Sequence, residues 1–316
     1  MLLCALAHYL YTSIGISNRG LMAEILIGAT VAGVQIGCVW ALVAMGLTLI
    51  FGIIRVINFA HGSMLMLFMY LGYYLWRLWG IDPYLSMIIT APVAFVFGYA
   101  VQHFLIYPMF AREKAFVVEP LGVLVLMLAF DLILANVALI AFEPLAKTVK
   151  VTYASKVIEW GFLTLNVPRL IVVLIALLLT FGVSQLMNRT ELGNTIRAVG
   201  QSREAAAICG INVHHVYAVT FGLGCAITAF GGCALLPFQY VAPGMGMPFL
   251  LRAFIVVALG GLGSLRGALL GGIIIGVVES VAGQFVPAVT SVVISLIIFL
   301  AIIRFRPKGL MGLIEV

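Results

Sequence analysis

Arg189–Val213 reads RTELGNTIRAVGQSREAAAICGINV, a polar run between two apolar segments at about 169–187 and 214–239. An α-helix rises 1.5 Å per residue and needs roughly 20 residues to cross the hydrocarbon of a bilayer. Both flanking segments reach that length, and Arg169 is the only Asp, Glu, Lys or Arg in either of them. The run is therefore a water-exposed connection between membrane helices and the place to look for contact with a soluble partner. Its residues predict two short helices. Thr190 caps the first, which carries Leu192, Ile196 and Val199 on one side, and Ser202 caps the second, which runs through Cys209. Glu204 falls in the first turn, where the helix dipole favours a carboxylate. Gly210 suits the left-handed residue after the helix end, and Asn212 caps the next span. Ala205, Ala206 and Ala207 give a low-relief surface that could seat in a groove of another protein, although an alanine-rich connector also simply forms a helix.

Composition agrees with this reading. Of 316 residues, 64% are hydrophobic and 9% charged, against about 25% charged in a typical soluble domain. Mean hydropathy is +1.22. A soluble fold of this size cannot hide that much apolar surface, whereas a polytopic helical protein requires it. The formal charge of +6 fits positively charged loops facing the cytoplasm and anionic lipid, without a nucleic-acid partner. Cys4, Cys38, Cys209, Cys225 and Cys233 show no CxxC or Cys/His spacing, which leaves them as small packing residues and predicts no metal site.

The apolar runs divide at 24–52, 57–76, 84–106, 117–142, 169–187, 214–239, 250–262, 265–283 and 286–304. The expected fold is all-α: a polytopic membrane protein of eight or nine spans forming one permease domain over 1–316. The first run exceeds one crossing and must be tilted or broken, and 250–262 is short enough for a half-helix or re-entrant element. Residues 1–21 read as an N-terminal extension in which 2–18 could form a tenth span and Met22 could serve as a start. With the N-terminus outside and nine spans, ten basic residues (Arg55, Arg112, Lys114, Arg189, Arg197, Arg203, Arg266, Arg304, Arg306 and Lys308) fall inside. Seven (Arg19, Arg77, Lys147, Lys150, Lys156, Arg169 and Arg252) fall outside, a bias in the expected direction. The outer loop at 143–168 alternates with period two over Thr148–Tyr153 and is extended again over Phe162–Val167 before Pro168. These two stretches predict a small β-hairpin, serving as a docking surface or as a packed cap over the helices.

Gly33 and Gly37, Gly267 and Gly271, and Gly272 and Gly276 form GxxxG spacings that let helices approach closely in lipid. A charge at the centre of a span costs about 2.5–3.5 kcal/mol on insertion scales, so polar residues there face protein or a water-filled path. The candidates for a substrate pathway are Gln35, Asn58, His61, Asp131 and Glu279, with Asn136 beside them. Asn58, His61 and Gly62 adjoin an expected helix break, where freed backbone groups could bind a zwitterion. Hydrogen bonding across helices is the alternative reading for all of them.

Four stretches, in order, resemble the permease subunits of the branched-chain amino-acid ABC importer family. Gly46-Leu47-Thr48-Leu49-Ile50-Phe51-Gly52 leads into Arg55-Val56-Ile57-Asn58-Phe59-Ala60-His61-Gly62. Leu192-Gly193 and Ile196-Arg197-Ala198-Val199 precede Glu204-Ala205-Ala206 and Gly210-Ile211-Asn212-Val213. Leu259-Gly260-Gly261-Leu262-Gly263-Ser264 comes with Gly267-Ala268, and Arg306-Pro307-Lys308-Gly309-Leu310 lies near the C-terminus. The resemblance covers about 25–311, and its departures are the N-terminal extension and Lys308, where an uncharged residue is frequent. It implies an ATP-driven importer in the bacterial inner membrane, with no catalytic, cofactor or metal site in this chain. The implied partners are a second homologous permease, two ATPase subunits that bind ATP and Mg, a periplasmic solute-binding protein and a small-molecule substrate. It also implies that Glu204, Ala205, Ala206 and Gly210 couple the permease to the ATPase. The chain lacks G-x-x-x-x-G-K-[ST], and Gly260-Gly261-Leu262-Gly263-Ser264 lacks the lysine of a phosphate loop. An ion-coupled secondary transporter using Asp131 or Glu279 would share this composition, whereas no HExxH or G-x-S-x-G motif supports a membrane enzyme.

Overall fold

The computed structural model describes residues 18–112, 121–160, 163–306 and 309–311. Most of the N-terminal extension, Lys114, Phe162 and the Pro307-Lys308 pair lie outside these described residues. Helix α1 runs over Asn18–Ile54 and α2 over His61–Trp79. α3 covers Pro83–Ala100 and continues through a π-helical segment, Val101–Ile106, into α4, Tyr107–Arg112. α5 is Leu121–Phe142, followed by strands β1 (Val157–Trp160) and β2 (Leu163–Asn166). α6 spans Val167–Arg189, with the short helices α7 (Glu191–Gln201) and α8 (Arg203–Ile208) after it. α9 (Val213–Leu235), α10 (Gly246–Gly260), α11 (Leu265–Ala282) and α12 (Ala288–Phe305) complete the chain.

Six helices are long and apolar enough to cross a membrane: Met22–Ile54, Pro83–Met109, Gly122–Phe142, Val167–Arg189, Val213–Leu235 and Leu265–Ala282. The molecule is thus a helical, multi-pass membrane protein, and six of the expected eight or nine spans meet this criterion among the described residues. The others fall short for identifiable reasons. α2 carries His61, Ser63 and Arg77 among its apolar residues, and α10 has 15 residues where a crossing needs roughly 20. The first run, expected to be tilted or broken, is one unbroken helix of 37 residues.

α1 is the axis of the fold and packs most extensively on α11, while α9 packs on α3 and on α1. The α1–α11 seam is made by glycine. A Cβ on Gly33 would lie 2.6 Å from the Val277 Cα, and one on Gly37 would lie 2.6 Å from the Gly272 oxygen. The opposite face of α11 meets α10 in the same way, with Gly271 against the Val256 carbonyl at 2.7 Å. Lipid supplies no hydrophobic drive for helix association, so close backbone contact of this kind supplies the dispersion energy instead. Two further helix starts are capped by side chains: Asp82 accepts from the Tyr84 N–H at 2.9 Å, and Ser264 from the Gly267 N–H at 3.0 Å.

The outer hairpin forms, but from a different first strand than expected. β1 pairs antiparallel with β2 in the register Val157↔Asn166 to Trp160↔Leu163, and Thr148–Tyr153 is not a strand. That run spends its alternation on the helix ends instead. Val149 is buried, Lys147 exchanges backbone hydrogen bonds with Val241 at 2.8 Å, and the Tyr153 hydroxyl donates to Asp82 Oδ2 at 2.7 Å. Lys147 also donates to the Tyr74 hydroxyl at 2.9 Å, with its ammonium over the Tyr74 ring. The first half of the loop is therefore a stapled cap, while Val157 and Ile158 on the hairpin stay about half exposed.

Candidate functional site

The polar run folds into the helix pair its capping residues predict. Thr190 Oγ1 accepts from the Gly193 N–H at 3.0 Å, Ser202 Oγ from the Ala205 N–H at 3.2 Å, and Asn212 Oδ1 from the His215 N–H at 3.1 Å. Gly210 has φ +82°, and the Gly210 and Ile211 N–H groups close back on the Ala207 and Ala206 carbonyls, both at 3.0 Å. This is a helix stop of the left-handed type that glycine adopts without a Cβ penalty. α7 buries Gly193, Ile196 and Val199, whereas Leu192, expected on the same side, is 40% exposed at the rim.

α8 is anchored by Ala206 alone, which is buried; Glu204, Ala205, Ala207 and Gly210 are exposed. Glu204 has no partner for its carboxylate among the described residues, so its charge faces outward at the helix start. Ile208, which the sequence reading passed over, is 88% exposed on this same helix. An isoleucine in an otherwise polar run is a legible signal, but only the backbone shows that it points away from Ala206. The exposed face of α8 thus presents an apolar tip, small neighbours and one carboxylate.

The pair rests on the end of α1. Gly200 of α7 sits against Ile53, with a built Cβ 3.1 Å from its Cδ1, and Arg55 donates a long 3.5 Å hydrogen bond to the Gly200 carbonyl. Arg55 itself holds φ +56°, a left-handed conformation uncommon for a side-chain-bearing residue, at the break between α1 and α2. Through this contact α7 touches the segment that leads directly to Asn58 and His61.

Three of the pathway candidates gather around the start of α2. Asn58 is fully buried, with its Nδ2 near the Met64 sulfur at 3.8 Å and its Oδ1 without a partner. His61 is buried, and its Nε2 pairs with the Val43 carbonyl of α1 at 2.8 Å, a contact that serves cross-helix packing. Ser63 donates to Asp131 Oδ1 at 2.5 Å, which brings α5 to the same place. Gly62 lies in backbone contact with Gly246, so the starts of α2 and α10 meet there. Gln35 is buried on α1 with its Nε2 unpaired, and Asn136 is exposed, bonding the Leu132 carbonyl of its own helix. Glu279 stands apart: its Oε1 lies 3.6 Å from Arg252 Nε and accepts from Ser295 at 3.4 Å. Arg252, counted with the outer charges from the sequence, is thus inside α10 and paired. A cleft of about 360 Å³ at the hairpin end, lined by Glu24, Ala29, Thr164 and Gln284 among others, includes none of the pathway candidates.

The cysteines follow the packing expectation at Cys38, Cys225 and Cys233, which are buried and free, while Cys209 is exposed beside Gly210. No group of three or more His, Cys, Asp or Glu residues suited to a metal occurs among the described residues.

A multi-pass helical chain with a capped, exposed helix pair at one end is an architecture that membrane transport permeases use. The family model described as branched-chain amino acid transport system / permease component matches residues 29–303, and the chain belongs to that family. It is 27% identical over 300 residues to the high-affinity branched-chain amino acid transport system permease protein BraD of Pseudomonas aeruginosa, covering 90% of this chain and 95% of that one. The probable branched-chain amino acid transport permease protein LivH of Methanocaldococcus jannaschii is 31% identical over 285 residues, covering 86% and 88%. LivH of Escherichia coli K12 is 26% identical over 294 residues, covering 90% and 94%. No solved structure gives a significant match.

Proposed function

We propose that this chain is the membrane-spanning subunit of an ATP-driven importer in the bacterial inner membrane, moving branched-chain amino acids or a related small polar solute by alternating access. It works with a second homologous permease, two ATPase subunits that supply ATP and Mg, and a periplasmic binding protein. The observation that carries this reading is the contact of α7, on which α8 packs, with the α1–α2 break. A partner that pushes on Glu204, Ala205, Ala206 and Gly210 moves Gly200 against Ile53 and Arg55, and so moves the segment holding Asn58. The exposed hairpin residues Val157 and Ile158 supply the surface for the binding protein at the other end of α1. Gln35, Asn58 and Asp131, with His61 as a positioning residue, line the path, and α10 enters it as a short, re-entrant helix. Adding α2 and α12 to the six longer helices makes eight crossings, with α10 as a ninth, re-entrant membrane segment.

Glu204→Lys reverses the one carboxylate on α8, and Gly210→Trp forces a side chain onto a left-handed backbone in the docking surface. Both variants are expected to insert normally, to lose co-purification with the ATPase and to lose substrate-stimulated ATP hydrolysis. Unchanged binding and hydrolysis in both would refute this reading. Uptake that collapses with the ion gradient but survives loss of the ATPase would instead favour ion coupling through Asp131 or Glu279.

A further inference from the structure

The Arg252–Glu279 pair is a charged contact in the interior of the spans that no step above explains. Arg252 is the seventh of fifteen residues in α10, Trp40 lies mid-way along α1 and Ser295 mid-way along α12, while Glu279 is in the last turn of α11. The pair is loosely made. Its nitrogen and oxygen are 3.6 Å apart, beyond a good hydrogen bond, and Arg252 Nε is buried without a hydrogen-bond partner. The guanidinium stacks on the Trp40 ring at 4.7 Å, Trp40 packs on Phe249 with centroids 5.6 Å apart, and the buried Trp40 Nε1 faces the Glu279 carboxylate without closing a full hydrogen bond. A pair serving stability alone would be bidentate and fully bonded, because buried charges repay their desolvation only with such geometry.

Arg252 also faces outward. A quarter of its side chain, 26%, remains exposed, between Met247 and Leu251 on the uncovered face of α10. A guanidinium inside a span faces protein or a polar path rather than lipid, and we take this face of α10 to border the path. The site then offers a cation, an anion and an aromatic wall side by side.

We propose that Arg252 and Glu279 form a recognition station for a free α-amino acid zwitterion, a role that rests on the importer reading above. The pair opens, Arg252 takes the carboxylate, Glu279 takes the ammonium, and the apolar side chain lies against Trp40 and Phe249. One loose ion pair is exchanged for two, and no net charge enters the membrane interior. A neutral amide or urea presents neither charge and leaves the pair closed. The station therefore selects amino acids over the neutral solutes that the rest of the path would admit.

The test uses the complete transporter in proteoliposomes, with its ATPase and binding-protein partners, and radiolabelled L-leucine and acetamide as probes. Wild type is expected to import L-leucine with ATP. R252Q, E279Q and the doubly neutral R252Q/E279Q are each expected to lose at least tenfold in uptake, with the double variant melting within a few degrees of wild type in detergent. The double variant separates the two roles, since it removes both charges while leaving none unpaired. If it imports L-leucine within twofold of wild type, the pair is structural and the proposal fails. Wild-type import of acetamide but not L-leucine also overturns the station while leaving the importer reading standing. ATP-independent behaviour towards both probes overturns the importer reading, and the station with it.

Discussion

Gly37 and Tyr153 show how single residues set the two ends of this fold. A side chain at Gly37 would meet backbone, 2.6 Å from both the Gly272 oxygen and the Ile273 Cα, and no rotamer of a neighbour can relieve that. Gly37→Leu must push α1 and α11 apart, at a cost of about 1–3 kcal/mol by comparison with overpacked cores. We expect a lower melting temperature in detergent; an unchanged melt would show that the seam is not under close packing. Tyr153 holds the outer cap through Asp82. Burial first, and then its hydrogen bond to that carboxylate, push the Tyr153 phenol well above its usual range. A raised folded pKa means that the contribution is complete below the unfolded value near pH 10 and is lost only as pH rises beyond it. Tyr153→Phe is expected to cost about 1.5–3 kcal/mol, as for a hydrogen bond to a charged group. Limited proteolysis would then cut 143–156 faster, whereas wild type would keep one cleavage rate from pH 6 to 9.

At the scale of the element, α8 has one buried face and one exposed face, and the proposed docking belongs to the exposed one. Ala206 alone is buried, and Ile208, at 88% exposure, contributes almost nothing to the permease's own packing. Ile208→Ser is therefore expected to leave melting unchanged and to weaken ATPase binding by roughly tenfold, the scale of about 1.4 kcal/mol for a buried apolar anchor. Binding measured by pull-down or calorimetry checks this; equal affinity would remove Ile208 from the interface. The outer loop divides in the same way. Its first half is tied down by Lys147, Val149 and Tyr153, and its hairpin keeps Val157 and Ile158 free. The packed-cap reading of that loop holds for its first half, and its hairpin half is the part left exposed.

Across the whole molecule, α1 joins the two ends, touching β2 near its start and α7 near its end, with α11 and α9 packed along it. Class, family and helix positions were legible in the chain because they rest on local quantities: hydropathy over about 20 residues, capping side chains, and glycine spacing. Thr190, Ser202, Gly210 and Asn212 all hold the positions that their chemistry demands, since a cap needs only its own next three residues. What required the tertiary structure was pairing between distant residues. Arg252 looks like a loop charge until α10 and α11 bring it to Glu279, and Thr148–Tyr153 looks like a strand until the helix ends offer its backbone and side chains better partners. The same holds for Gly200 beside Ile53 and for Ser63 beside Asp131. Periodicity says which face of a segment avoids water, but in a membrane nearly every face does. Which apolar face meets which was therefore decided by backbone fit and by the few polar groups that had to find one another.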